Sequence, residues 1–228
     1  MKKPVRVALI GARGQMGQTI VDLAKNDPEI DIVAQCDIGD AIDAALKNCD
    51  VAIDFSNASA IDEICRAAEQ NRKALVIGTT GHSPEQRQLI EKSAKSLAIV
   101  FASNFSVGVN ALFALTGRAA EIFGAQFKPE IVETHHTKKK DAPSGTAKTL
   151  GEILKSELKT DVPIESIREG DVVGEHTVTF VGPGERLELT HRAGSREIFA
   201  RGALRAAAWI VGKSPGLYSM QNVLGISK

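Results

Sequence analysis

Val5-Arg6-Val7-Ala8-Leu9-Ile10-Gly11-Ala12-Arg13-Gly14-Gln15-Met16-Gly17 reads as a buried strand, VRVALI (5–10), that turns through a glycine-rich loop into a helix. Met16, Ile20 and Leu23 recur at i, i+4 and i+7 on one face of that helix, which stops before Asp27-Pro28. Gly11, Gly14 and Gly17 form a GxxGxxG pattern. Glycines there let the backbone turn sharply and approach a diphosphate, whose charge meets the N–H groups and positive end of the following helix. The common fingerprint is GxGxxG, and a glycine loop by itself is equally a plain turn.

Working outward, short β-rich runs alternate with amphipathic segments as far as residue 102. IDIVAQC, ending at Cys36, is the second strand, AIDAALK (41–47) a short helix and VAIDF (51–55) the third strand. Ser59 is expected to cap a helix that buries Ile61, Ile64, Cys65 and Ala68. ALVIG (74–78) and LAIVFA (97–102) are the fourth and fifth strands, separated by a helix from Ser83-Pro84 through Lys95. Right-handed crossovers make this a Rossmann-like, doubly wound parallel sheet. Asp37 follows the second strand, twenty residues after Gly17, where a carboxylate accepts hydrogen bonds from an adenosine ribose; a solvated strand-end acid is the alternative. Gly78-Thr79-Thr80-Gly81 and Ala102-Ser103-Asn104-Phe105 lie at carboxyl ends of parallel strands, where such sheets bind ligands, although each taken singly is equally an ordinary turn.

The second half reads as a smaller α+β domain. A helix from Val107 to Phe123 leads to a strand at PEIVETHH, then a helix opening near Pro143 and running to Leu158. EHTVTFVG (175–182) and ERLELTHRA (185–193) form a hairpin about Gly182-Pro183-Gly184, and the chain ends with the helix REIFARGALRAAAWIVG and a Pro/Gly-punctuated tail. The expected domains are 1–106 with 196–228, binding a dinucleotide, and 107–195, binding substrate and making oligomer contacts. Two crossings between them form a hinge.

Bulk properties narrow the partners. The chain has 228 residues with 28 basic and 28 acidic side chains, so a general nucleic-acid or membrane-surface binder is not expected. Cys36, Cys49 and Cys65 show neither paired spacing nor a zinc pattern, which fits a reducing setting. Lys2 and Lys3 before VRVALIGA resemble a signal peptide, but the apolar run is too short. The charge-free stretch Ser96–Gly117 contains Ser103, Asn104, Ser106 and Asn110, and is read as strand, loop and helix rather than a membrane span.

Chemistry concentrates in Glu133-Thr134-His135-His136-Thr137-Lys138-Lys139-Lys140-Asp141-Ala142-Pro143-Ser144-Gly145-Thr146. Adjacent histidines on a strand point to opposite faces, so they are not read as joint ligands and no metal site is expected. One imidazole can face a cleft and exchange protons near neutrality, and a nearby lysine can attract anions. Pro143-Ser144-Gly145-Thr146 is a helix start whose amides and hydroxyls suit a carboxylate or phosphate. In isolation the lysines are equally a solvated run and each histidine a structural residue. Beside a nicotinamide-binding domain, the cluster reads as a reductase site for a small anion.

HHTKKKDAPSGTA, together with GARGQMG, VAIDFS, VIGTTG, ASNFSVGVN, DVVGEHTV and LTHRAGSR in order, resembles the dihydrodipicolinate reductase family over nearly the whole chain. The resemblance implies NADH- or NADPH-dependent reduction of 4-hydroxy-tetrahydrodipicolinate, a small dicarboxylate on the diaminopimelate route to lysine, by a cytoplasmic homotetramer. It makes His135 the proton donor or acceptor and Lys139 the second catalytic residue. It places substrate near His136, Ser144, Gly145 and Thr146, with Arg196 meeting a carboxylate. The cofactor would contact Gly11, Ala12, Arg13, Gly14, Gln15, Met16, Asp37, Gly78, Thr79, Thr80, Ala102, Ser103, Asn104 and Phe105. Two departures stand out: the segment after Asp37 is short, and the loop before DVVGEHTV is reduced to SIREG. Asp37 followed by Ile38, with no basic side chain for a 2′-phosphate, favours NADH or dual use, although Arg13 is long enough to reach a phosphate.

Two competing readings stand beside this one. A semialdehyde dehydrogenase on a related plan needs a nucleophilic cysteine in the second domain, which has none, whereas an amino-acid dehydrogenase carries no such requirement. A redox-sensing regulator that binds NAD(H) would bring a DNA-binding module, for which there is no room.

Overall fold

The computed structural model describes residues 3–226; Met1, Lys2, Ser227 and Lys228 lie outside the described residues, and with them Lys2 of the leader-like N-terminus. In the first half, β1 (Val5–Ile10), α1 (Gln15–Ala24), β2 (Ile30–Cys36), α2 (Ile42–Leu46), β3 (Val51–Asp54), α3 (Ile61–Asn71), β4 (Ala74–Ile77), α4 (Pro84–Ser93) and β5 (Ala98–Phe101) follow the alternation of the sequence. The second half continues with α5 (Val107–Phe123), β6 (Lys128–His135), α6 (Gly145–Leu158), β7 (Ile164–Arg168), β8 (Glu175–Gly182), β9 (Glu185–Arg192), α7 (Glu197–Ile210), β10 (Gly216–Tyr218) and α8 (Met220–Leu224). The chain divides into two compact units, 1–105 with 197–228, and 106–196.

The first unit carries a six-stranded sheet in the order β10-β5-β4-β3-β1-β2, with every pair parallel. Val7 through Ile10 and Val51 through Ile53 are buried on both faces, which explains why these strands read as continuous apolar runs rather than alternating ones. One face packs on α1, α7 and α8, with Ile20, Ala203 and Ile210 fully buried. The other packs on α2, α3 and α4 through Leu46, Ile64 and Ile90. Each such large side chain contributes roughly 1.5–3 kcal/mol by leaving water. Because β1 lies between β2 and β3, the winding reverses at β1/β3, and the crevice outside their carboxyl ends is where ligands bind in such sheets.

The second unit pairs β6 parallel to β7 and antiparallel to β8, which in turn pairs antiparallel to β9, in the order β7-β6-β8-β9. Helices α5 and α6 cover one face of this sheet around Ile131, Leu150, Val178 and Phe180. The β8–β9 hairpin turns at Pro183-Gly184, as its composition predicts. The expected fold class, a Rossmann-like doubly wound sheet with a smaller α+β domain, is therefore observed.

Local expectations needed three corrections. Ser59 caps nothing; Asn57 does, accepting from the Ser59 amide at the head of a short 3₁₀ turn, Ala58–Ala60, that runs into α3. The tail supplies β10, a three-residue edge strand paired with β5, and α8, opened by a Ser219/Asn222 capping box. SIREG is not merely a trimmed loop, because Ile164-Glu165-Ser166-Ile167-Arg168 is strand β7. Ser83 forms the expected cap of α4, a reciprocal box with Gln86. The stretch 96–117 resolves into β5, a loop and α5, and among the described residues no helix is long and apolar enough to cross a membrane.

Candidate active site

The crevice of the first unit is a cleft of about 580 Å³ at the β1/β3 switch, lined by Gly14, Gln15 and Met16, by Phe55 through Ala58, and by Gly78 through Gly81. Its shape depends on close backbone approach. Gly11 has φ 83°, and a Cβ there would overlap the Phe55 carbonyl and the Ser56 Cα. A Cβ on Gly17 would overlap the Gly11 carbonyl oxygen and Ala12, so this glycine lets α1 start tight against its own loop. The first amides of α1 consequently border the cleft. That arrangement fits the diphosphate of a dinucleotide.

Asp37 stands at the end of β2, where its carboxylate accepts from the amides of Arg13 at 2.8 Å and Ile38 at 3.0 Å. These two bonds hold its pKa below the ordinary carboxylate value. Asp37 thus ties the glycine loop to β2 while remaining ionised. Of the other expected cofactor contacts, Gly11 and Ala12 are buried in the turn beneath the cleft, and Arg13 is exposed. Ser103 is exposed and Ala102 and Asn104 are half-buried, whereas Phe105 is 2% exposed and packs against Phe55 with ring centroids 5.7 Å apart. Phe105 is a core residue.

Sequence reasoning missed the third wall, Phe55-Ser56-Asn57-Ala58. The rule that picked the ends of β4 and β5 applies equally to β3, and would have found it. Asp54, 1% exposed, organises this wall by accepting from the Ser56 amide at 2.9 Å and the Ser56 hydroxyl at 2.5 Å, while its carbonyl accepts from the amides of Gly78 and Thr79. Burial pushes the Asp54 pKa up, against the lowering effect of Ser56 and Thr79.

In the second unit, strand alternation places Ile131, Glu133 and His135 on one buried face of β6. His135 Nδ1 bonds Glu133 Oε2, and Glu133 Oε1 accepts from Arg168 Nη2 at 2.9 Å and from the Ser144 amide at 3.2 Å. Burial raises the Glu133 pKa, but Arg168, Ser166 and His135 outweigh it and hold the carboxyl at about 2. Burial pushes the His135 pKa down, with Glu133 opposing. His136, just past the strand, is half-buried and donates its amide to the Val172 carbonyl at 2.7 Å.

The lysine run separates by environment. Lys138 and Lys140 are exposed, whereas Lys139 is drawn in to pair with Asp141 at 2.8 Å. Ser144 is 2% exposed, and its hydroxyl serves as the N-cap of α6, accepting from the Ala147 amide at 3.2 Å and pairing with His176 Nε2 at 3.0 Å. Gly145 and Thr146 therefore stand at the first two positions of a helix whose N-cap amide is engaged by Glu133. Arg196 lies exposed, just ahead of α7.

Glu133, Arg168 and His176 were not singled out from sequence. His176 is 4% exposed and edge-on to His135 at 5.1 Å, and burial lowers its pKa to about 4. Ligand atoms of Glu133, His135 and His176 lie within 4.8 Å of one another, a set that could hold a divalent cation. Both Glu133 oxygens already serve hydrogen-bond donors, one of them a guanidinium, so the trio is a proton and hydrogen-bond network.

The network makes stability pH-dependent. The unfolded chain binds a proton at His176 below about pH 6.5, whereas the folded one resists until about pH 4. Glu133 adds a second loss from its usual 4.5 down to about 2. Thermal denaturation should therefore show Tm falling on acidification from pH 6.5 to 4, and a His176→Gln variant should show a flatter slope over that window. An equal slope in both proteins would contradict the assignment.

Residues 5–105 match the family described as dihydrodipicolinate reductase, N-terminus, and residues 108–224 match its C-terminus. The 4-hydroxy-tetrahydrodipicolinate reductase of Akkermansia muciniphila is 46% identical over 244 aligned positions covering 98% of this chain and 99% of the relative. That of Geobacter metallireducens is 40% identical over 264 positions, covering 97% and 99%. Alignments longer than the 228-residue chain mean that these relatives carry insertions it lacks. The solved structure of dipicolinate-bound dihydrodipicolinate reductase from Paenisporosarcina sp. TG-14 superposes with a TM-score of 0.81 at 27% identity, covering 96% of this chain and 99% of that one. DAP dehydrogenase from C. glutamicum shares the fold, with a TM-score of 0.62 at 14% identity over 100% of this chain and 97% of that one.

Proposed function

We propose that this chain, which belongs to the dihydrodipicolinate reductase family, reduces 4-hydroxy-tetrahydrodipicolinate to tetrahydrodipicolinate with loss of water, using a reduced pyridine nucleotide. The observation that carries this reading is that one chain holds both a switch-point cleft, in its first unit, and the His135, Lys139 and α6 N-terminal cluster, in its second. A nicotinamide nucleotide, when bound, supplies the hydride that reduces the unsaturated imine left once the 4-hydroxyl departs as water. Gly14 through Met16 and the amides of α1 hold its diphosphate, and Asp37 accepts from its ribose.

In the second unit, the amides at Gly145 and Thr146 receive a substrate carboxylate at the positive end of α6. Lys139 adds positive charge, and His136 and Arg196 complete the set offered to the dicarboxylate. Ser144, already committed as a cap, contributes by fixing the helix start. His135 supplies the proton the product needs. Residues 1–105 with 197–228 thus serve the nucleotide and 106–196 the substrate. A cytoplasmic homotetramer belongs to the same reading.

An NADH preference, or dual use, is part of this proposal. Asp37 keeps its charge where a 2′-phosphate would sit, and the adjacent Ile38 is 95% exposed and apolar, offering a surface for an adenine ring but no cation. The ratio of kcat/KM for NADH to that for NADPH should be one or greater. A large NADPH advantage would overturn the preference and point to Arg13 as a phosphate ligand.

A further inference from the structure

We propose that Glu133 is a positioning residue whose carboxylate accepts the Nδ1 hydrogen of His135, so that Nε2 is the atom that exchanges a proton with the substrate. The inference rests on the reading of His135 given above and adds the group that aims it.

The geometry divides the carboxylate's work. Glu133 has no exposed surface, and an ionised group so placed is costly unless its oxygens are satisfied. Oε1 serves Arg168 and the Ser144 amide, while Oε2 serves His135. An ionised carboxylate only accepts, so Nδ1 is the donor, and in the neutral ring the lone pair sits on Nε2. The opposite edge of the ring faces Gly174, where a Cβ would stand 3.0 Å from Nε2 and 3.3 Å from Cδ2. Glycine at 174 keeps a side chain from crowding that edge.

Arg168 extends the arrangement to the second catalytic group. Its Nη2 donates to Glu133 and, at 2.5 Å, to the carbonyl of Asp141, whose side chain pairs with Lys139. One guanidinium on β7 therefore links the carboxylate that aims His135 to the loop that carries Lys139. The same carboxylate holds the Ser144 amide at the start of α6. Proton donor, lysine and anion cradle are set by one buried hub.

The charged and titratable groups facing His135 are Glu133 on its own strand, Lys139 and Asp141 on the loop, Arg168 on β7 and His176 on β8. Glu133, hydrogen-bonded to the ring, favours the imidazolium most, and Asp141 adds to it through charge alone. Removing the Glu133 charge must lower the proton affinity of His135, which moves the alkaline limb of the kcat profile to lower pH if the protonated ring is the active form.

Glu133→Gln should therefore lower kcat roughly 10–100-fold, the range found for partners that orient metal-bound imidazoles. Its alkaline limb should shift down in pH, with the Kd for NADH within twofold of the parent. Glu133→Asp keeps the charge and should return the limb toward the parent position. A folded Glu133→Gln with an unshifted limb would overturn the proposal, because a role confined to anchoring α6 would leave the limb in place. If Glu133→Gln fails to fold, imidazole ¹⁵N shifts of His135 in the unsubstituted protein decide instead: Nδ1 protonated and Nε2 bare above the transition supports it, and the other tautomer overturns it. His135→Gln separates the two levels. Full turnover in that variant would remove the reading of His135 on which the inference rests, whereas an inactive His135→Gln beside an unshifted Glu133→Gln removes only the role of Glu133.

Discussion

Replacing His135 by Gln should lower kcat by about 100- to 10,000-fold, the span typical of a lost general acid, while leaving the Kd for NADH unchanged. The separation of effects follows from the architecture. His135 ends β6 in the second unit, and the dinucleotide cleft is built entirely from the first. Lys139→Ala should also depress turnover strongly, by removing the one lysine of the triplet that is drawn in and by leaving Asp141 unpaired beside the site. Its KM for substrate should rise as well, since a charge that attracts carboxylates acts in the ground state too. Lys138→Ala and Lys140→Ala, at exposed positions, serve as controls with turnover near the parent value. Near-normal kcat in both His135→Gln and Lys139→Ala would remove the catalytic assignment.

The second large effect is expected at Gly17. A Cβ there overlaps the carbonyl of Gly11 and the backbone of Ala12, neither of which can swing aside as a side-chain tip could. Gly17→Ala must therefore push α1 away from the loop that it closes. Overpacking of this kind costs about 1–3 kcal/mol, which lowers Tm by several degrees in a chain of this size. The displaced amides of α1 should also weaken NADH binding by roughly tenfold or more, equivalent to about 1.4 kcal/mol. Gly14 is the contrasting position, because a Cβ would meet only the Gly11 carbonyl oxygen at 3.4 Å. Gly14→Ala should keep its Tm near that of the parent. Equal Tm and equal nucleotide affinity in Gly17→Ala would show that the close approach is not required.

These expectations divide along the line between local and long-range information. The five strands of the first half were legible because each is a short apolar run bounded by turn residues, and because burial on both faces suppresses alternation. Ser83-Pro84 announced α4 through side chains only three residues apart. What stayed hidden depends on distant partners. Gly216–Tyr218 becomes β10 only because β5 offers a free edge, and Ile164–Arg168 becomes β7 by pairing with β6 across the whole of α6.

The same holds for the site. His135 and Lys139 stand out by residue type and spacing, but Arg168 is thirty-five positions from the carboxylate it holds, and His176 thirty-two from the hydroxyl it meets. Glu133 was in view as part of the motif, yet nothing in its spacing shows that it is fully buried. Its importance is a property of packing.

The reductase activity itself is measured by cofactor oxidation followed at the nicotinamide absorbance, with 4-hydroxy-tetrahydrodipicolinate generated enzymatically in the cuvette. NADH consumption should depend on both the protein and the substrate, be stoichiometric with the tetrahydrodipicolinate formed, and fall by about 100-fold or more in His135→Gln. Absence of oxidation above the substrate-free rate with either NADH or NADPH would contradict the proposed activity.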